Sequence, residues 1–129
     1  MLKLTGMIWW IDRWRKSTAY TDMSATAQGC YRNLIDEAWL RHGAIPNDPR
    51  VIARASGDVE LWPQVKDTVM RRFYLNDGAW HNETVDEVMR HAQRGAKKQQ
   101  AYRDRRGNKR GNASVTKGVT KPVTRGVIA

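Results

Sequence analysis

Charged and aromatic residues are segregated along this chain. Residues 1–89 contain 11 basic and 12 acidic side chains, whereas residues 90–129 contain 12 basic side chains and a single acidic one, Asp104. Ten of the 11 aromatic residues precede Arg90. A near-neutral, aromatic-rich segment can bury a core, but a basic segment with few aromatics cannot offset its conformational entropy. The 129 residues therefore predict one globular domain followed by a charged arm, and they argue against a two-domain enzyme or a uniformly basic histone-like fold.

The spacing of apolar residues predicts helices and one hairpin in the first segment. Bulky residues at 7–14 favour a strand or an extended segment, and a polar approach follows at 18–22. Helices are predicted near 24–42, from Pro49 to near Ser56, from Asp58 to about Arg72, and from Asn82 onward. Two β-rich triplets flank Asn76, Asp77 and Gly78, which predicts a hairpin at about 73–81.

Three of these helices carry a clear apolar stripe, which predicts the core. The stripe of the first consists of Ala27, Cys30, Tyr31, Leu34, Ile35, Ala38 and Trp39. The third and fourth helices are expected to contribute Leu61, Trp62, Val65, Val69, Val85, Val88, Met89 and Ala92.

A helix-turn-helix followed by a hairpin is the winged-helix arrangement, with the hairpin as the wing. The predicted fold class is thus mainly α with a small β-hairpin. We expect a winged helix-turn-helix domain at 7–92, a long basic C-terminal helix extending over 93–106, and a disordered basic tail at 107–129. The tail repeats the unit Val-Thr-[Lys/Arg]-[Gly/Pro], which is too short and too rich in helix breakers to fold.

Several stretches together resemble the YdaU-like family, a phage and prophage domain of unknown function. They occur in order over about residues 9–100 and comprise Trp10 to Trp14, Met23-Ser24, Gly29 to Asp36, Trp39, Gly43 to Asp48, Trp62, Phe73, Asp77 to His81, and Asp86-Glu87. The resemblance implies a domain like the N-terminal winged helix of phage replication initiators. It implies no catalytic residues.

The helix-turn-helix and the wing supply the candidates for reading DNA. Residues 49–72 carry five basic and three acidic groups. This is a small positive net charge for an element that would enter a DNA groove lined by phosphates. The groove or base-edge candidates are Arg54, Gln64, Lys66, Thr68, Arg71 and Arg72, with Asn76, Asp77 and Gly78 in the wing. The alternative is that this surface is a solvated helix face in a winged helix that binds protein.

The arm supplies the candidates for gripping phosphates. Nine cations fall within residues 90–110, namely Arg90, Arg94, Lys97, Lys98, Arg103, Arg105, Arg106, Lys109 and Arg110. Contact with about six phosphates would make binding fall steeply with salt, and such contacts carry no sequence information. The alternative is a solubilising tail or linker.

Catalysis, metal binding and membrane insertion are not predicted. The three histidines are scattered without zinc spacing, the glycines form no phosphate-binding loop, and Cys30 lies on an apolar stripe, where a small buried residue is expected. The apolar run Met7–Ile11 is too short for a signal peptide or a membrane span. We expect no cofactor, no metal and no small-molecule substrate, and a location in the cytoplasm of a bacterial host cell.

These observations favour a non-enzymatic phage or prophage DNA-binding protein, acting in the initiation of DNA replication. Duplex DNA is the expected partner, with host or phage replication proteins as further candidates. Two alternatives share the same fold, a protein–protein adaptor of a phage replication complex and a transcriptional regulator. Trp9 and Trp10 would point to opposite faces of a strand, so one of them could face a partner.

Overall fold

The computed structural model describes the backbone of residues 5–116 and the side chains of residues 5–107. The described chain is mainly helical and includes a small antiparallel sheet. The elements in order are α1 (Ile11–Arg15), α2 (Thr18–Asp22), α3 (Ala25–Leu40), β1 (Ala44–Pro46), α4 (Pro49–Ala55), α5 (Trp62–Met70), β2 (Tyr74–Asn76), β3 (Ala79–His81) and α6 (Glu83–Thr116).

Helices α3, α4 and α6 each begin directly after a residue whose side chain accepts a hydrogen bond from the first turn. Ser24 caps α3 by accepting from the Ala27 amide, and Asp48 caps α4 by accepting from the Arg50 amide. At the start of α6, Asn82 accepts from the amide of Val85. Such caps satisfy amides that have no partner within the helix. All three helices begin where the sequence predicts them.

Helix α3 forms the centre of the core, as its apolar stripe predicts. All seven residues of the stripe are buried, and Leu34 and Ala38 are fully inaccessible to solvent. Trp62 and Val69 of α5 and Val85 and Val88 of α6 are also buried, whereas Leu61 is exposed. The helical periodicity therefore predicted most of the core correctly.

The predicted strand at 7–14 is wrong, because residues 11–14 lie in helix α1. Residues Met7–Trp10 have no regular structure, and α1 begins at Ile11. The predicted polar approach at 18–22 is the short helix α2, which Ser17 caps by accepting from the Tyr20 amide. Bulky residues have a β preference on average, but here long-range packing of the tryptophans against α3 outweighs it.

The sheet has three strands, and two of them, β2 and β3, form the predicted hairpin. The strand order is β1-β3-β2, and both pairings are antiparallel. The third strand, β1, lies between the first two predicted helices, and its central residue Ile45 is fully buried and opposite Trp80. A strand of three residues is too short to show alternation, so only its long-range pairing with β3 reveals it.

The third helix begins later than the sequence suggests. The Asp58 side chain accepts a hydrogen bond from the Leu61 amide, but this bond closes a turn, and α5 begins at Trp62. Pro63 therefore lies in the first turn of the helix, where a missing amide hydrogen costs nothing.

Contacts between residues divide the chain into two units, Met1–Ala92 and Gln93–Ala129. The first unit holds the sheet, helices α1 to α5 and the start of α6. The described part of the second unit is helical up to Thr116, whereas the sequence placed the end of the basic helix near Arg106. Lys117 to Ala129, with most of the predicted repeats, lie outside the described residues.

Candidate nucleic-acid interface

Helix α5 presents a polar face to solvent. Gln64, Thr68 and Arg71 follow the spacing i, i+4, i+7 on the side of the helix away from buried Trp62 and Val69, and we call these three residues the α5 outward face. Gln64 and Arg71 are exposed and Thr68 is half-buried. The structure thus places three of the six groove candidates together on one surface.

An acidic side chain lies in the middle of the same surface. Asp67 follows Gln64 by three residues and precedes Arg71 by four, so its carboxylate shares the α5 outward face. Near phosphates this carboxylate is repelled, although it can accept a hydrogen bond from the amino group of cytosine. Lys66, another groove candidate, is exposed but lies about 160° around the helix from Gln64 at ~100° per residue.

The other two groove candidates lie elsewhere. Arg54 is on α4, in an open cleft that it shares with Glu37, Asp48 and Arg50. Arg72 donates a hydrogen bond to the Thr18 hydroxyl at 3.0 Å and lies 3.5 Å from the Asp22 carboxylate. Its guanidinium therefore connects α2 to the end of α5, a structural role that the residue spacing in the sequence did not indicate.

The hairpin has the predicted tight turn. Asp77 and Gly78 both have positive φ angles, 53° and 73°, and Asn76 pairs with Ala79 across the two-residue loop. Consecutive positive φ values define the turn type that matches the twist of paired strands and favours Asp-Gly. All three predicted wing residues are exposed at the tip of the hairpin.

Two side-chain contacts fix the position of the hairpin. The indole of Trp80 donates a hydrogen bond to Asn47 in the loop before α4, at 3.0 Å. The phenol of Tyr74 donates to the Asp86 carboxylate on α6, a bond that raises the pKa of Tyr74 above its ordinary value. The hairpin is therefore connected to the loop before α4 and to α6.

In the second unit, the cations of α6 separate into two faces. Arg94, Lys97, Lys98 and Arg105 fall within about 100° of one another around the helix, and we call them the α6 cation face. Arg103 and Arg106 lie on the other side. All four residues of the α6 cation face are exposed, and within residues 5–107 none of the four is in an ion pair.

Several contacts occupy the remainder of this helix surface. Asp104 accepts a hydrogen bond from Gln100 at 3.0 Å, and Arg103 donates to the same Gln100 at 2.8 Å. The Arg106 guanidinium lies 5.6 Å from the ring centre of Tyr102. Lys109 and Arg110 lie within α6, but their side chains are outside the described set, and Arg90 is exposed in the first unit.

Comparison with known proteins identifies a family over most of the first unit. Residues 8–89 match the family described as "Protein of unknown function (DUF1376)". The chain belongs to the DUF1376 family. No curated protein and no solved structure matches the chain. The prediction of a family of unknown function is confirmed at this level, whereas the YdaU-like name and the winged-helix resemblance stay predictions.

The DUF1376 match ends at Met89, so the α6 cation face lies outside it. The α5 outward face and the hairpin lie within it. The two candidate surfaces thus belong to different parts of the chain, the first within the family region and the second beyond it.

Sequence analysis missed a cluster of stacked cations and tryptophans in the DUF1376 region. The Arg13 guanidinium lies 4.2 Å from the ring centre of Trp10, and that of Arg32 lies 3.9 Å from the ring centre of Trp9. Arg13 also donates two hydrogen bonds to Glu87, at 2.7 and 3.2 Å. The alternation of Trp and Arg in residues 9–15 is a signal that could have indicated this cluster.

The described side chains offer little for metal or thiol chemistry. Among residues 5–107, no group of three His, Cys, Asp or Glu side chains is close enough to hold a metal ion. Cys30 is buried in the core as predicted, and burial raises the pKa of its thiol. No helix in the described part of the chain is both long and apolar enough to span a bilayer.

Proposed function

We propose that this chain is a non-enzymatic DNA-binding protein that contacts duplex phosphates through the α6 cation face. The observation that carries the proposal is the exposure of four cations on one side of a helix, without an ion-pair partner among residues 5–107. One duplex can meet all four side chains at once, which a random distribution around the helix would not allow.

The winged-helix assignment is part of the same proposal. Two observations support it, namely the succession α4, turn, α5, hairpin, and the pairing of β3 with β1, which joins the hairpin to the start of the helix-turn-helix. In this arrangement the α5 outward face would enter a major groove and the tip at Asp77-Gly78 would lie on the backbone. The YdaU-like resemblance makes phage or prophage replication initiation the process that we propose.

The different charges of the two units support different roles for them in the proposed binding. The first unit, residues 1–92, has 12 basic and 12 acidic side chains, whereas the second unit, residues 93–129, has 11 basic side chains and one acidic one, so nonspecific attraction to DNA would come from the second unit. Base-edge contacts from Gln64 and Arg71 would add sequence selectivity, and they would require little additional positive charge in the first unit.

The test is binding of the full chain to short duplexes, measured by fluorescence anisotropy at low salt. We expect the full chain to bind duplexes of any sequence, and to bind duplexes of one particular sequence more tightly. Replacing the α5 outward face by Gln64→Ala, Thr68→Ala and Arg71→Ala should remove the selectivity and leave most of the nonspecific affinity. Failure of the full chain to bind any duplex at low salt contradicts the proposal.

A protein-adaptor role for the first unit is a second candidate, and two observations favour it. Asp67 lies within the surface that would face DNA, and Leu75 on the edge strand β2 is 49 % exposed. If the triple α5 variant binds every duplex as the wild type does, the first unit does not read DNA. The adaptor role would then be the better account of that unit.

A further inference from the structure

A cavity of about 200 Å³ lies beside α1, within the first unit. Its lining includes the indoles of Trp9, Trp10 and Trp14, together with the charged side chains of Arg13 and Arg72. It involves neither the α5 outward face nor the α6 cation face. The volume is below the ~300–1,000 Å³ of pockets that take drug-sized ligands, so it suits one flat ring system.

The three indoles already stack on partners within the protein. Trp9 and Trp10 each have a guanidinium over one face, and Trp14 is stacked on Tyr31 with ring centres 5.3 Å apart. All three indoles nevertheless remain partly exposed and border the cavity. An aromatic wall of this kind can stack a nucleobase, because every base has a π-face.

The charged groups at the cavity complement the other parts of a nucleotide. Arg13 and Arg72 are cations at the lining. Arg13 is paired with Glu87 at 2.7 Å and Arg72 contacts Asp22 at 3.5 Å, so a phosphate at the cavity would compete with these two carboxylates for the guanidinium groups. The exposed carboxylate of Glu83 also lines the cavity. A carboxylate repels phosphate but accepts hydrogen bonds from the exocyclic amino group of a base such as cytosine.

We propose that this cavity binds one unpaired nucleotide, with its base against the indoles and its phosphate on Arg13 and Arg72. The nucleotide could be free in solution or part of a DNA strand. In the second case the inference rests on the proposed function, and it makes the chain prefer DNA with an unpaired base over a continuous duplex. Both sources share the same chemistry, so the experiment uses both.

The full chain is titrated with dCMP and dTMP, and separately with a duplex that is fully paired or carries one bulged cytosine. We expect dCMP to quench tryptophan fluorescence and to bind more tightly than dTMP. The bulged duplex should bind about tenfold more tightly than the paired one, as one base–aromatic stack allows. Trp10→Ala should abolish dCMP binding and the bulge preference, whereas Trp10→Phe should retain much of both.

Trp80→Ala is the matched control for dCMP binding, since Trp80 is also half-buried but lies on β3 and does not line the cavity. Glu83→Gln changes an exposed residue and should reduce the preference for dCMP over dTMP, which tests the cavity even if Trp10→Ala does not fold. Equal binding by the wild type, Trp10→Ala and Glu83→Gln overturns the inference, as does the absence of both dCMP binding and a bulge preference. If dCMP binding requires Trp10 but no DNA binds, the cavity stands and the proposed function fails.

Discussion

Asn82 joins three parts of the first unit through one buried amide. Its oxygen accepts from the Val85 amide at the start of α6, and its nitrogen donates to the Tyr31 hydroxyl and to the Arg72 carbonyl. The side chain is only 2 % exposed. The sequence predicted the cap at α6, because Asn before an apolar periodic segment is a typical helix start. The two long-range bonds depend on tertiary packing and could not be predicted.

Asn82→Ala should lower the free energy of unfolding by about 2 kcal/mol, because it removes a helix cap and leaves buried polar partners unsatisfied. Urea denaturation of the full chain followed by circular dichroism measures this loss. Asn76→Ala, at an exposed position in the hairpin, is the control and should change stability by less than about 0.5 kcal/mol. A similar loss for both variants would contradict the role of Asn82.

The ion pair between Arg13 and Glu87 gives a pH dependence of defined sign. The hydrogen bonds from Arg13 lower the pKa of Glu87 below its ordinary value of 4.5. A carboxyl group with a lowered pKa stabilises the fold at pH values above its ordinary pKa, and this contribution is lost as the pH falls through the lower folded value.

Glu87→Gln should therefore be less stable than the wild type at pH 7, and the two should converge as the pH falls below 4.5 and through the lowered pKa of Glu87. Thermal unfolding at a series of pH values provides the comparison. Asp12→Asn is a suitable control, because Asp12 is in a highly exposed i, i+4 pair with Lys16. A difference between wild type and Glu87→Gln that persists unchanged at pH 3 would argue against this pair as its source.

Among the helices and strands, the sequence predicted those that are long enough to show a clear apolar periodicity. Helix α3 has 16 residues and shows four turns of apolar spacing, so its position and buried face were predicted correctly. Helices α1 and α2 have five residues each, and β1 has three. In such short elements tertiary contacts outweigh local preference, which is why α1 was predicted as extended and β1 was missed.

Two glycines should respond in opposite ways to alanine. Gly95 is inside α6 and a methyl group there would meet nothing within 4 Å, so Gly95→Ala should stabilise the helix by about 0.5–1 kcal/mol. Gly57 has a φ angle of +87°, and a methyl group would lie 2.3 Å from the Asn33 amide nitrogen. Gly57→Ala should therefore destabilise the fold by about 1–3 kcal/mol.

Far-UV circular dichroism of the full chain measures the helix content of Gly95→Ala, and urea denaturation measures the stability of Gly57→Ala. A better-formed helix lowers the ordering cost of binding, so Gly95→Ala should also bind duplex DNA at least as tightly as the wild type. Loss of helix content in Gly95→Ala would show that this segment is not helical in solution.

For the whole molecule, the separation of charge from aromatic residues along the sequence predicted approximately where the chain divides into two units. The core and the sheet lie in the near-neutral first unit, and the α6 cation face lies in the basic second one. The predicted helix over 93–106 contains all four residues of the α6 cation face, so their position on one side could have been predicted from residue spacing alone. The sequence could not predict the cavity at α1, which requires residues from distant parts of the chain.

The central claim is that the α6 cation face, and not positive charge in general, contacts duplex phosphates. Arg94→Gln/Arg105→Gln removes two arginines from this face, and Arg103→Gln/Arg106→Gln removes two from the opposite side, so both variants have the same net charge. The measurement is the slope of log K against log salt for binding to one duplex. The first variant should lower its magnitude by about 1.8, and the second by less than half of that. Equal changes for the two variants, or no change in either, would contradict the claim.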